Sequence, residues 1–351
     1  MATADSYHKQ MAVKNELKLR ELRKDLPPFC DQFFRGIEPT TAPRTRIAYA
    51  TDLKQFFVYA KNHIKKLQGT DLSVADISVL NDITCYDIEN YLDYLKVYVN
   101  ENGETITNGE NGLKRKLSAV RAMYRYFFFH HAVDNNPAEQ VAVPKIHEKA
   151  IVRLDENETA ELLDTVEYGT GGSKHQQSFH EKNKDRDLAL VTLLLGTGIR
   201  ISECIGLNIQ DVDFDNDRIK VTRKGGNEAY VYFGDEVRDA LSVYYDKRSS
   251  LTAVTGHENA LFLSNRMSRM TVRAAELLVK KYAGAAVSLK KITPHKLRST
   301  YGTQLYKETG DIYLVADVLG HKDVNTTRRH YAAIEEERRR QAKDKVHLRK
   351  D

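Results

Sequence analysis

The sequence predicts a mainly α-helical protein of two domains, with a small antiparallel β-sheet in the second domain. Its 351 residues suffice for two hydrophobic cores at about 150 residues per domain. Apolar residues recur every three to four positions along most of the chain, as amphipathic helices require. One segment, residues 209–233, changes to alternation with two tight turns, which is typical of a β-meander.

Composition narrows the class of protein before any motif is considered. Hydrophobic residues make up 41% of the chain and charged residues 29%, the balance of a soluble globular protein. No run approaches the ~18 apolar residues of a membrane span, which excludes transporters and receptors. The polar amino terminus lacks a secretory signal, so we expect a cytoplasmic protein. Cys30, Cys85 and Cys204 are far apart without CxxC spacing, so neither a disulfide framework nor a cysteine zinc site is expected.

The first domain is expected to be a helical bundle. Residues 1–39 are interpreted as a helical appendage, because a charged helix over Met11–Lys24 ends at Pro27 and Pro28. Residues 40–143 then contain three amphipathic helices, the first opening at Pro43 and the second at Thr84, whose capping partner would be Asp87. Arg44, Arg46 and Lys54 are expected on the exposed face of the first of these helices.

The third helix of this bundle carries a basic run between residues 111 and 131 without one carboxylate. The run consists of Lys114, Arg115, Lys116, Arg121 and Arg125. Such a run is usually a solvated helix face, and a net charge of +5 does not by itself indicate nucleic-acid binding. Together with Arg44 and Arg46, these residues are nevertheless the candidate phosphate or base contacts if the protein binds DNA.

An interdomain linker is placed at residues 144–155, where proline and charge replace periodicity, and the second domain at residues 156–351. This domain begins with a helix near Glu156–Val166, followed by a Gly/Ser/His-rich segment, Gly169–Lys184, expected to be a mobile loop. The segment Asp187–Leu195 is strongly apolar and leads through Gly196–Gly198 to Ile199 and Arg200, and the β-meander follows. Helical periodicity then returns, and a charged helix is expected from Ile334 onward.

Five short motifs occur in order in the second domain. They are Gly196–Glu203 (GTGIRISE), Thr222–Gly226 (TRKGG), Thr293–Arg298 (TPHKLR), Leu319–His321 (LGH) and Tyr331. Each alone would have an ordinary structural explanation, but the ordered set resembles the tyrosine recombinase (phage-type integrase) family, and within it the Xer-type single recombinases. The resemblance covers about Asp187–Tyr331 and implies a helical core-binding domain followed by a tyrosine recombinase catalytic domain.

The resemblance also implies a role for each motif residue. Tyr331 would be the nucleophile and Arg200 and Arg298 would bind the scissile phosphate. Lys224 would protonate the leaving 5′-hydroxyl, His295 would serve in acid/base catalysis and phosphate contact, and His321 would occupy the family's second His/Trp position. Glu203, three residues after Arg200, could orient a guanidinium. His321 and Tyr331 are ten positions apart, one more than the family's commonest spacing.

Physical chemistry agrees with these roles. Two planar guanidinium groups can neutralise the phosphate oxygens with a bidentate geometry that lysine cannot match. A lysine whose pKa is lowered by neighbouring arginines can supply a proton to the leaving oxygen near neutral pH. No cluster of carboxylates with magnesium-ligand spacing accompanies these residues, so neither a metal nor another cofactor is expected.

The expected function is site-specific recombination of DNA through a covalent 3′-phosphotyrosine, in chromosome dimer resolution or in integration and excision of mobile elements. The partner implied by the resemblance is double-stranded DNA with a specific site, bound by two protomers per site and by a homotetramer in the recombining complex. A topoisomerase-like nicking and closing enzyme, or a DNA-binding factor without catalysis, remain alternatives.

Overall fold

The protein is described from a computed structural model, which covers residues 7–100, 102–145, 147, 152–223, 226–321 and 324. The chain divides into two units, residues 1–149 and residues 150–351. Each has its own hydrophobic core. None of the helices in the covered ranges is long and apolar enough to span a membrane. The charged helix expected from Ile334 lies outside the described residues.

The N-terminal unit is a helical bundle with one short hairpin. Its elements are α1 (Tyr7–Arg23), α2 (Cys30–Gly36), α3 (Pro43–His63), α4 (Cys85–Lys96), β1 (Val97–Val99), β2 (Thr105–Thr107), α5 (Glu110–Phe129) and α6 (Pro137–Gln140). The antiparallel pair β1–β2 places Tyr98 opposite Ile106 and was not expected from the sequence. The three amphipathic helices expected over residues 40–143 are confirmed as α3, α4 and α5.

The boundaries of these helices follow from local sequence signals. Pro43 occupies the first helical position of α3, where a missing N–H costs nothing. The Thr84 hydroxyl accepts a hydrogen bond from the Asp87 N–H at 3.3 Å, and the Asp87 carboxylate accepts one from the Thr84 N–H at 2.8 Å. This capping box satisfies two orphan donors at the start of α4, as the sequence predicted.

The first helices belong to the core of this unit, which corrects their interpretation as an appendage. Leu19 of α1 and Phe33 of α2 are both fully buried. The Phe33 ring lies 5.8 Å from the Tyr126 ring of α5, centroid to centroid, in an edge-to-face arrangement. The charged surface of α1 hid an apolar face that continues through Leu26 and Phe29 into α2.

The C-terminal unit packs helices around a small sheet. Its elements are α7 (Glu156–Tyr168), α8 (Lys174–Thr197), α9 (Ile201–Gly206), β3 (Val212–Asp213), β4 (Arg218–Thr222), β5 (Glu228–Tyr232), α10 (Asp235–Ser249), α11 (Val272–Ala286), α12 (Pro294–Thr309) and α13 (Ile312–Leu319). The strands form an antiparallel sheet in the order β3–β4–β5, so the predicted meander is confirmed.

Helix α8 begins at Lys174, inside the segment expected to be a loop, so the prediction of a loop through Lys184 is wrong. The Ser173 hydroxyl accepts from the Gln176 N–H at 3.3 Å, while the Gln176 side chain accepts from the Ser173 N–H at 2.9 Å. His180 is buried, with its Nε2 2.8 Å from the Val166 carbonyl oxygen. This cap and the tie to α7 outweigh the loop-like composition.

Candidate functional site

The site is centred on a sharp turn between α8 and α9. Gly198 ends α8 in a left-handed conformation, with φ of +62°. A Cβ at this position would lie 2.4 Å from Cδ1 of Tyr301 and 2.8 Å from Cδ2 of Leu319. Both the backbone angle and the lack of space therefore require glycine. The turn brings the next residues, Ile199 and Arg200, to the start of α9.

Arg200 is held by a carboxylate one turn further along α9. Its backbone N–H donates to Oε2 of Glu203 at 2.9 Å, and its Nη1 donates to Oε1 at 2.8 Å. Its Nη2 donates to the Gly320 carbonyl at 3.2 Å. The Glu203 side chain is only 3% exposed whereas that of Arg200 is 34% exposed, so the carboxylate orients the guanidinium while one side stays open to solvent.

Arg298 approaches the same place from α12. It is 4% exposed and lies in the second turn of the helix, which opens at Pro294. Its Nη1 donates to the Gly198 carbonyl at 2.7 Å, and its Nη2 donates to the Leu319 carbonyl. Arg200 and Arg298 thus bind the neighbouring carbonyls of Gly320 and Leu319 at the end of α13.

A third guanidinium, from Arg223 at the end of β4, joins this group. Its Nη2 donates to the Val318 carbonyl at 2.9 Å and its Nη1 to the Leu319 carbonyl at 3.2 Å. Nη1 also lies 3.6 Å from Oε2 of Glu203. Sequence reasoning gave this residue no role, because its acceptors lie 95 and 96 positions further along the chain.

The last residues of α13 supply the acceptors for all three guanidiniums. Gly320 is left-handed, with φ of +62°, and ends the helix. Unpaired carbonyls and the negative end of the helix dipole favour cations at a helix C-terminus. We call Arg200, Arg223, Arg298 and Glu203 the arginine cluster. Three positive charges against one carboxylate leave an excess of two, which suits the binding of an anion such as a phosphodiester.

The remaining motif residues fall partly outside the described ranges. His295 lies on the exposed side of the first turn of α12, and His321 follows Gly320 and is half-buried, its N–H donating to the Ala316 carbonyl at 2.9 Å. Lys224 and Tyr331 lie outside the described residues. The Arg223 N–H donates to the Asn227 carbonyl at 2.7 Å, one residue after the end of β4 and one before the start of β5. Within the described ranges, no three His, Cys, Asp or Glu side chains form a group that could hold a metal ion.

Several of the predicted DNA-contacting cations of the N-terminal unit are exposed. Arg44 and Lys114 are exposed, and the Arg125 side chain is 77% exposed, 3.9 Å from the Glu139 carboxylate. The Arg115 side chain is half-exposed and its guanidinium pairs with the buried carboxylate of Asp52.

Three of the predicted DNA contacts are instead engaged inside the unit. Arg46 was expected on an exposed face but is 6% exposed and pairs with Glu38 at 3.0 Å. Lys116 is 8% exposed and donates to the Gln55 side chain. Arg121 donates to the Ala138 carbonyl at 3.0 Å and also to later carbonyls that end α6. Arg46 and Lys116 extend the apolar faces of their helices, so their charges are turned inward.

Charge burial in this unit shifts two pKa values in opposite directions. Burial raises the pKa of Asp52 above its ordinary value, and the nearby Arg115 and Lys116 only partly offset this effect. Burial likewise lowers the pKa of Lys116, against the opposing effect of Asp52. These cations therefore serve to compensate a buried carboxylate.

The sequence of this chain is similar to those of known proteins. The sequence model of the phage integrase family matches residues 152–338. The tyrosine recombinase XerC of Pelobacter propionicus is 29% identical over 310 residues, covering 88% of this chain and 91% of that protein. The tyrosine recombinase XerS of Streptococcus agalactiae is 29% identical over 370 residues, covering 95% of this chain and 100% of that protein.

Solved structures show the same fold. The XerH site-specific recombinase bound to palindromic difH substrate, in a post-cleavage complex, superposes with a TM-score of 0.61 at 19% identity, over 85% of this chain and 78% of that chain. A lambda integrase tetramer bound to a Holliday junction gives a TM-score of 0.60 at 16% identity, over 86% of this chain and 76% of that chain.

Proposed function

Because the chain belongs to the phage integrase family and is an Xer-like tyrosine recombinase, an enzyme that cuts and rejoins DNA strands, we propose that its arginine cluster binds the scissile phosphate. The observation that carries this assignment is the convergence of Arg200 and Arg298 on adjacent carbonyls at the end of α13. Both guanidiniums are fixed before any substrate arrives. Such preorganised donors stabilise charge as it develops in the transition state.

The proposed chemistry is a transesterification. The Tyr331 oxygen attacks the phosphorus, a bond forms between them, and the bond to the 5′-oxygen breaks. Tyr331 loses its phenolic proton, which His295 accepts, and the departing 5′-oxygen receives a proton from Lys224. The product is a 3′-phosphotyrosine and a free 5′-hydroxyl. A 5′-hydroxyl from a second strand then reverses these steps, so rejoining needs no nucleotide cofactor.

The arginines carry the electrostatic part of this reaction. The phosphodiester has one negative charge, and the pentacoordinate transition state concentrates more on its non-bridging oxygens. Arg200 and Arg298 supply two fixed forks of N–H donors for these oxygens. Removing one preorganised donor of this kind typically costs about 2.7–4 kcal/mol of barrier. His321, next to Gly320, is the proposed additional donor to the same phosphate.

DNA contacts of the N-terminal unit are proposed for its exposed cations. Arg44, Lys114 and Arg125 are the first candidates because their side chains are exposed, and Arg115 is a further one because half of its side chain reaches the surface. Such contacts give affinity and register on the duplex, and they make binding strongly dependent on salt.

The proposed partner is double-stranded DNA carrying a specific site, bound by two protomers, with four protomers in the recombining complex. Lambda integrase, which shares the fold, forms a tetramer on a Holliday junction. Chromosome dimer resolution and integration or excision of mobile elements would use the same active site. They differ in target sequence, and the role is assigned by finding where in the genome the bound sequence occurs.

Covalent trapping tests this function. A duplex is selected from a random-sequence pool by repeated binding to the full chain, and a nick is placed beside the scissile phosphate so that cleavage cannot be reversed. In EDTA, the wild-type chain is expected to become covalently attached and Tyr331→Phe is not. Attachment that depends on a divalent metal, or that persists in Tyr331→Phe, would contradict the proposal. Relaxation of supercoiled DNA that lacks the selected site would instead indicate a topoisomerase-like enzyme.

A further inference from the structure

Arg223 occupies the centre of the arginine cluster. It shares the Glu203 carboxylate with Arg200, which donates to Oε1 at 2.8 Å while Arg223 lies 3.6 Å from Oε2. It also shares the Leu319 carbonyl with Arg298. Arg200 and Arg298, the proposed phosphate-binding arginines, therefore each have one acceptor in common with Arg223.

The packing around Arg223 is tight. Its side chain is 14% exposed. A Cβ on Gly320 would lie 2.9 Å from both Cζ and Nη1 of Arg223, so the guanidinium lies directly against the backbone of that glycine. The glycine thus serves two purposes, since it also ends α13 with a positive φ. The position of Arg223 is fixed from the sheet side by β4 and from the helix side by α13.

We propose that Arg223 is a positioning residue for Arg200 and Arg298. By occupying the Glu203 carboxylate and the carbonyls of Val318 and Leu319, it keeps the other two guanidiniums directed at the scissile phosphate. Without Arg223, the buried Glu203 carboxylate would face Arg200 alone, and the carbonyls of Val318 and Leu319 would lose donors. Buried acceptors without partners are costly. Arg200 and Arg298 would therefore turn inward to satisfy them and move away from the phosphate.

This role differs from that of a group acting on the leaving oxygen. Arg223 directly precedes Lys224, the proposed general acid, so its loss could also disturb proton transfer. Among the described residues, however, the hydrogen bonds and the ion pair of its side chain are with the end of α13 and with Glu203. The inference rests on the proposed function, and it assigns Arg223 to charge stabilisation at the non-bridging oxygens.

Substrates with altered charge separate the two roles. Single-turnover rates of adduct formation are measured on the selected, nicked duplex with a normal scissile phosphate and with a methylphosphonate, in which a methyl group replaces one non-bridging oxygen and removes the negative charge. Since misplacing a catalytic group by about 1 Å can cost about 100-fold, Arg223→Ala is expected to slow the normal duplex roughly 10- to 100-fold. On the neutral duplex the loss is expected to fall below about threefold, because less charge needs to be stabilised.

A matched control is available on the same strand. Arg218 of β4 pairs with Asp213 at 2.8 Å, and neither residue belongs to the cluster. Arg218→Ala is expected to leave both rates near the wild-type values. Arg223→Gln, which keeps N–H donors in a similar volume, is expected to recover part of the lost rate on the normal duplex. If Arg223→Ala no longer binds the duplex, the same comparison is made with Arg223→Gln. A larger loss of rate on the normal duplex than on the neutral duplex would then support the positioning role.

Three results would overturn the inference. The first is an equal loss of rate on the two duplexes, and the second is no loss on either. The third is recovery of the rate only on a duplex whose leaving 5′-oxygen is replaced by sulfur. Because sulfur departs without a proton, that recovery would assign Arg223 to the proton transfer by Lys224. Absence of any adduct with the wild-type chain would be a different failure, since it would reject the proposed function and this inference with it.

Discussion

The two units use buried cations in different ways. In the N-terminal unit the two most buried of the predicted cations lie beside carboxylates, Arg46 at 3.0 Å from Glu38 and Lys116 at 3.9 Å from Asp52. In the C-terminal unit the guanidiniums of Arg200 and Arg223 share the one carboxylate of Glu203, and Arg298 donates to the peptide carbonyls of Gly198 and Leu319. Neutral acceptors fix a guanidinium without cancelling its charge, so the first arrangement stabilises a fold and the second preserves positive charge for a ligand.

The largest contrast is expected when one arginine in each unit is replaced by lysine. The single ammonium of Arg298→Lys cannot bind both the Gly198 and Leu319 carbonyls, so we expect covalent adduct formation to fall about 100- to 1000-fold. Arg46→Lys keeps its charge beside Glu38 and should change the rate less than about threefold. Single-turnover trapping on the nicked duplex measures both. Similar losses in the two variants would remove the distinction between the units.

Two glycines allow the same comparison for stability. Gly69 and Gly198 both have a positive φ, but a Cβ at Gly69 would have nothing within 4 Å, whereas one at Gly198 would overlap Tyr301. Gly69→Ala should lower the free energy of unfolding by about 1–2 kcal/mol from backbone strain alone. Gly198→Ala should lower it by about 2–5 kcal/mol, because overpacking adds about 1–3 kcal/mol.

Urea unfolding followed by circular dichroism measures this difference. The strain at Gly69 serves as the internal control, since the two substitutions add the same methyl group at a similar backbone angle. Equal destabilisation would mean that the α8–α9 turn can relax away from Tyr301 and Leu319, and the close packing would then not explain the glycine.

A smaller effect distinguishes two arginines on α5. Arg125 has an exposed side chain, whereas Arg121 donates to the carbonyls that end α6. If Arg125 binds a phosphate, Arg125→Ala should reduce the slope of log K against log salt concentration by about 1. Arg121→Ala should leave the slope unchanged, although it should lower stability. Titrations of the selected duplex at several salt concentrations measure the slope, and a change with Arg121→Ala alone would reverse the assignment.

The smallest expected effect is a pH dependence of stability at Asp52. Burial makes its pKa higher in the folded chain than in the unfolded chain, so the folded state binds more protons. The contribution of Asp52 is therefore fully present below the unfolded pKa, near 4, and is lost as pH rises through the raised folded value.

Amide hydrogen exchange in α3 and α5 of the full chain reports this contribution locally. The difference in amide protection between the wild type and Asp52→Asn should change over that pH interval, because the protection of the wild type falls as pH rises. Asp93→Asn is the control, because the Asp93 side chain is 76% exposed. A difference that does not vary with pH would contradict the raised pKa.

Local signals in the sequence predicted much of the fold. The Thr84–Asp87 box gave the start of α4, and the alternation around Ile219 and Val231 gave the paired strands β4 and β5. The inward cations also had a signal that composition obscured. Lys116 lies three residues after Leu113 and one before Leu117, on the apolar face of α5. A charged residue is usually exposed, but the position of Lys116 on the helix is on the buried face.

The candidate site was predictable only in part. Ordered motifs brought Arg200, Glu203 and Arg298 to attention, and the structure places them together. Arg223 could not be assigned a role, because its acceptors are peptide carbonyls, which every residue carries and no sequence motif marks. The start of α8 was not predicted either. The Gly- and His-rich composition of this segment is typical of a loop, although the pair Ser173 and Gln176 is a helix-capping signal.

We propose that the cations of the C-terminal unit serve a tyrosine that becomes covalently joined to DNA. The most direct measurement is mass spectrometry of peptides from the covalent adduct, after digestion of both protein and DNA. We expect a nucleotide attached to the peptide that contains Tyr331. Attachment at Tyr301, Tyr306 or Tyr313, or at any residue other than tyrosine, would contradict it.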